Sequence, residues 1–80
     1  MANRVIDSFN APAGNYCVDI FVRDDGSFGF EEYRRDNEDL RGWFSLHRYE
    51  QQIYTTDMAA LEHAKASVGW LAQTLHGRPD

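Results

Sequence analysis

One thiol, three imidazoles and thirteen carboxylates are the side chains of this 80-residue sequence with the plainest capacity for chemistry. Cys17 and His47 lie in segments that alternate apolar and polar residues, so strands could bring them near each other. Nucleophilic catalysis needs a third group to orient the base, and an alternating-strand cysteine more commonly packs than reacts. His47, His63 and His76 show neither the i, i+4 spacing nor the carboxylate motif of a helix-borne metal site. A calcium loop fails as well, because the positions before Gly26 read Phe21, Arg23 and Asp25 where three oxygen ligands are needed. Gly26 and Gly29 alone make no phosphate-cradling loop. The expectation is a protein that is not an enzyme and needs neither cofactor nor metal.

The carboxylates are distributed unevenly. Between Asp19 and Asp39 stand eight acids (Asp19, Asp24, Asp25, Glu31, Glu32, Asp36, Glu38 and Asp39) against three bases (Arg23, Arg34 and Arg35), and this interval carries the whole net charge of −5. With a sequence pI near 5.0, long-range attraction to phosphate backbones or anionic lipid is unavailable to the molecule as a whole. A basic protein surface is the natural counterpart.

These residues need elements to hold them. From Asn15 to Arg23, Tyr16, Val18, Ile20 and Val22 alternate with Cys17, Asp19, Phe21 and Arg23, which predicts a strand. Asp24-Asp25-Gly26 follows, and a three-residue loop with Gly26 left-handed pairs Val22 with Phe28 and Ile20 with Phe30, keeping both faces consistent. A two-residue turn would flip the partner strand, which runs from about Ser27 to Arg35. The chosen register sets Asp19 opposite Glu31 on the face away from the helix, where like charges cost about 0.2–1 kcal/mol. Trp43 to Tyr49 suits a third strand and Gln52–Thr55 a short fourth. Thr56 is a good N-cap, Asp57 complements the helix dipole, and Gly77 with Pro79 form a stop signal. One helix from about Asp57 to His76 places Met58, Leu61, Ala64, Val68, Leu71, Ala72 and Leu75 on one stripe. The fold class is therefore α+β: a three- or four-stranded antiparallel sheet packed against one C-terminal helix. Residues 1–14 form an N-terminal arm, mobile or lying on an edge, and residues 15–80 the single domain.

On that helix Trp70 points away from the stripe, among Ala59, His63, Ala66 and Gln73, so it is either an exposed contact or covered by the arm. An exposed Trp70 would supply a homodimer or partner interface. A single cysteine favours a reducing compartment. Met1 to Gly14 has only Val5, Ile6 and Phe9 as large apolar residues, with no leader-like or membrane-spanning run anywhere. A cytoplasmic, non-membrane protein is expected.

Two resemblances extend this reading. The βββα order, with Trp43 and Phe44 on the third strand and Tyr54-Thr55-Thr56-Asp57-Met58-Ala59-Ala60 leading into the helix, resembles the small DNA-binding domains of the AP2 and integrase N-terminal type. That likeness implies DNA read from the sheet face by Arg23, Tyr33, Arg35 and Trp43, with Arg34 and Arg41 as further bases. In size, acidity and lack of catalytic motifs the chain also resembles inhibitors of the anti-CRISPR class, which implies a non-enzymatic protein occupying a basic nucleic-acid channel of a CRISPR effector complex. The second is favoured, since Asp19 and Glu31 share the face that DNA would need. The expected contact set is Asp19, Asp24, Asp25, Glu31, Asp36, Glu38 and Asp39 as charge complement, with Phe21, Tyr33 and Trp70 as contact area, and no direct nucleic-acid binding.

Overall fold

The computed structural model describes residues 3–36 and 42–76. Four strands, β1 (Arg4–Asn10), β2 (Tyr16–Val22), β3 (Phe28–Arg35) and β4 (Trp43–Ser45), form an antiparallel sheet in the order β1-β2-β3-β4. Two helices follow, α1 (Asp57–Ser67) and α2 (Gly69–His76). The molecule is a small α+β domain, as alternation and helical periodicity imply.

The β2–β3 hairpin has the three-residue loop. Arg23 N–H donates to Ser27 O at 2.8 Å, Gly26 N–H to Arg23 O at 2.9 Å, and Gly26 takes φ +86°, a left-handed conformation that glycine adopts without steric cost. Val22 pairs with Phe28, Ile20 with Phe30 and Asp19 with Glu31. Alternation along β2 therefore sends Val18 and Ile20 to the helix side, where they meet Phe30 of β3, Ala60 and Ala64 of α1, Val68, and Leu71 of α2. The alanines let α1 approach the sheet closely, and the aromatic bulk comes from Phe30, stacked on Tyr49 with ring centroids 4.9 Å apart.

Of the two placements expected for the N-terminal arm, the structure shows the edge: the segment pairs with β2 as β1, with Ser8 opposite Asp19 and a register shift between Val5 and Asp7. Two other expectations change. The third strand stops at Ser45 instead of Tyr49, because His47 turns the chain with φ +52°, and only Tyr54 returns to the sheet as an isolated bridge to Phe28. The single helix is two. Thr56 caps α1 as expected, its Oγ1 accepting from Ala59 N–H at 3.0 Å, but Val68 leaves helical geometry (φ −110°, ψ 101°) and Gly69 opens α2. Within α1 the buried residues are Ala60 and Ala64, while Met58, expected in the stripe, is 63% exposed. Gly77 and Pro79 lie outside the described residues.

No helix among the described residues is long and apolar enough to cross a membrane. The Cα trace spans only 19 Å along its shortest axis, which fits one sheet and one helical layer and leaves the other sheet face without a helix.

Candidate functional site

The face without helices carries Cys17, Asp19 and Phe21 of β2, and Gly29, Glu31, Tyr33 and Arg35 of β3, because every second residue of a strand points that way. Its half nearest the β2–β3 turn is filled by the protein's own side chains. Phe21 is buried with the Arg23 guanidinium 5.0 Å from its ring centroid. A Cβ at Gly29 would stand 2.7 Å from Arg23 Nη2 and 2.9 Å from the Phe21 ring, so only glycine fits there without movement. Arg23 then donates from Nη1 to Phe28 O at 2.9 Å and from Nη2 to Glu50 O and Gln52 O at 2.7 and 3.0 Å, tying the loop after β4 to the hairpin.

Glu31 finishes that job. Its side chain is 1% exposed, and its two carboxylate oxygens accept the backbone N–H groups of Arg48 and Tyr49, each at 2.7 Å. The left-handed turn at His47 aims these consecutive N–H groups outward as an anion-binding nest, and Glu31 is the anion. The expectation of a solvent-facing carboxylate repelled by Asp19 is thus corrected at Glu31. Phe21 is corrected as well, since its burial removes it as contact area. Glu32, on the helix side, is 5% exposed and accepts from Trp70 Nε1 at 2.8 Å, with Arg48 Nη1 3.7 Å from its other oxygen. Trp70 is half-buried against the core, so the exposed anchor expected from a continuous helix is absent. The Val68 break turns it toward the sheet, where its indole meets Glu32.

The remaining acids are spread out. Asp24 and Asp25 are exposed at the hairpin turn, where Asp25 Oδ1 accepts from Ser27 N–H and Oγ at 2.9 and 2.7 Å. The Ser27 hydroxyl, then its backbone N–H, hold the Asp25 carboxyl below its ordinary pKa. Asp36 is exposed past the far end of β3, about 25–30 Å away along the strand direction. Glu38, Asp39 and Arg41 lie outside the described residues.

The other half of the open face forms a cleft of about 570 Å³, whose walls include Ser8, Cys17, Asp19, Tyr33, Arg35 and Trp43. Asp19 is half-buried, and its Oδ1 accepts from Ser8 Oγ at 2.7 Å and Cys17 Sγ at 3.3 Å. Burial pushes the Cys17 thiol up to about 11 against the lowering effect of Ser8, with Asp19 pushing it further up, so the sulfur stays protonated and poorly nucleophilic. Burial, then the charges of Asp19 and Glu31, also raise Tyr33 above the ordinary phenol value. Arg35 Nη2 donates to Gly14 O at 3.0 Å, and its guanidinium lies 4.7 Å from the ring centroid of Trp43, which is 41% exposed. Asp19 and Tyr33 of the expected contact set thus come together here. Ser8 is absent from the expected contact set because only the pairing of β1 with β2 brings it to Asp19.

His47 stands apart from Cys17 and bonds Glu50 through Nδ1 at 2.8 Å. Among the described residues no group of three or more His, Cys, Asp or Glu could hold a metal ion. No protein-family model, curated protein or solved structure matches the chain.

Proposed function

We propose that the chain is a non-enzymatic module that binds a basic protein surface, in its most concrete form an inhibitor that occupies a nucleic-acid-binding surface of an effector complex such as a CRISPR effector. The observation that carries this is that three of the arginines are engaged within the fold while two acids stand exposed at the hairpin turn. Arg23 binds backbone carbonyls of its own fold, Arg35 binds Gly14 O and Trp43, and Arg48 leans on Glu32. Asp24 and Asp25 are exposed at the hairpin turn. Glu31 and Glu32 are buried, so the acidity that a partner meets on this hairpin is concentrated at its turn, in Asp24 and Asp25.

The DNA-reading alternative is weakened at Arg23, whose guanidinium already holds three backbone carbonyls of its own fold. A reduced, protonated Cys17 suits a cytoplasmic setting. The test pairs two measurements across a salt series: a gel shift of the protein with duplex DNA and with RNA, and DNA binding by purified CRISPR effector complexes with the protein added at equal concentration. The expected result is no shift by the protein itself and lost DNA binding by at least one effector, relieved by Asp24→Asn with Asp25→Asn. Micromolar affinity for DNA with a steep salt slope would overturn the proposal in favour of the nucleic-acid reading.

A further inference from the structure

The cleft beside β1 holds two opposite charges that do not neutralise each other. Asp19 is held by neutral donors, the Ser8 hydroxyl and the Cys17 thiol, and both bind Oδ1; among the described residues Oδ2 has no donor. Arg35 is held by a backbone carbonyl and the face of an indole. Opposite charges lining one cleft each attract a complementary charge, and each asks for a different sign. A simple anion would be repelled at one end and a simple cation at the other.

The spacing sets the length of what fits. Arg35 N–H donates to Asn15 O, which places Arg35 opposite Asn15, four residues from Asp19 along β2. At about 3.4 Å per residue that is about 14 Å of backbone, so a ligand that meets both charges needs a stem of several methylenes between its own two. Between them the register sets Tyr33, opposite Cys17, and Trp43 lines the cleft beside Arg35; both offer apolar surface suited to a methylene stem.

We propose that this cleft is a binding site for an ω-aminocarboxylate: a molecule whose ammonium meets Asp19, whose carboxylate meets Arg35, and whose short apolar stem lies along Tyr33 and Trp43. A free ω-amino acid has this chemistry, and so does the C-terminal lysine of a protein chain, which carries a side-chain ammonium and a terminal carboxylate. The inference stands independently of the basic-partner proposal, since it rests on the cleft and not on the acids of the hairpin turn.

Titration of the full chain with 6-aminohexanoate, followed by ¹H–¹⁵N NMR, tests it. The Trp43 indole N–H and the backbone signals of Asp19 and Tyr33 are expected to shift together. Hexylamine and hexanoate, which each keep one charge, should bind at least about tenfold more weakly, the loss that one charge-assisted hydrogen bond implies. Asp19→Asn preserves the shape and an acceptor for Ser8; it should weaken 6-aminohexanoate about tenfold and leave hexanoate unchanged. Arg35→Gln should do the converse with hexylamine as the unaffected ligand. A peptide ending in free lysine that binds more tightly than 6-aminohexanoate, and loses its binding on C-terminal amidation, would identify a chain terminus as the source. Equal binding makes the small molecule sufficient. Shifts elsewhere, no shift at about 10 mM, or single-charge compounds binding as well as 6-aminohexanoate would overturn the site.

Discussion

Glu31 shows how one carboxylate changes meaning between a strand pattern and a packed fold. Opposite Asp19 on the ladder, it looks like a repelling charge whose removal should help by about 0.2–1 kcal/mol. In the fold it closes two charge-assisted hydrogen bonds to N–H groups that would otherwise be left unpaired beside β3. The second effect is larger. Glu31→Ala is expected to lower stability by about 2–3 kcal/mol in urea unfolding, whereas stability equal to or above the parent would mean that water replaces the carboxylate without penalty. At the same turn, the hydrogen bond that His47 makes to the Glu50 carboxylate, and then that carboxylate's charge, raise His47 above its ordinary value of 6.5. A raised folded pKa means the stabilisation is complete below about 6.5 and fades as pH rises through the folded value. An NMR titration should show His47 deprotonating at higher pH than a free histidine, and Glu50→Gln should bring it back down.

At the scale of elements, the break between α1 and α2 decides what Trp70 does. A continuous helix sets Trp70 opposite the apolar stripe, but Val68 in extended geometry rotates α2 so that the indole reaches Glu32, 38 residues earlier in the chain. Iodide should therefore quench Trp43 and spare Trp70. Trp70→Phe keeps most of the packing and removes the N–H donor to a buried carboxylate, so a loss of about 2 kcal/mol is expected. A loss within about 0.5 kcal/mol, the range of ordinary surface substitutions, would return Trp70 to the surface. Gly69 inside a helical pattern was the available cue to this break.

For the whole molecule, an 80-residue chain has a small margin, and each layer has to be complete. β1 covers the outer edge of β2 and brings Ser8 to Asp19 and half-buried Phe9 to the core. Deleting residues 1–10 removes the edge strand, so the shortened chain is expected to lose cooperative thermal unfolding. A sharp transition close to the parent's would show that residues 1–10 are dispensable to the fold, as an arm would be.

What sequence alone determined was local. The hairpin register followed from Val22, Phe28 and Gly26, the start of α1 from Thr56, and the α+β class from the order of periodic segments, because each depends on residues within a few positions of one another. Tertiary structure decided the rest. Arg23 reaches carbonyls 27 and 29 residues later, Glu31 reaches N–H groups 17 and 18 residues later, and Ser8 meets Asp19 only because β1 pairs with β2. Composition counts such charges as surface, yet a long side chain goes wherever an unpaired backbone group near a sheet edge offers it a hydrogen bond. Periodicity carries no record of that geometry.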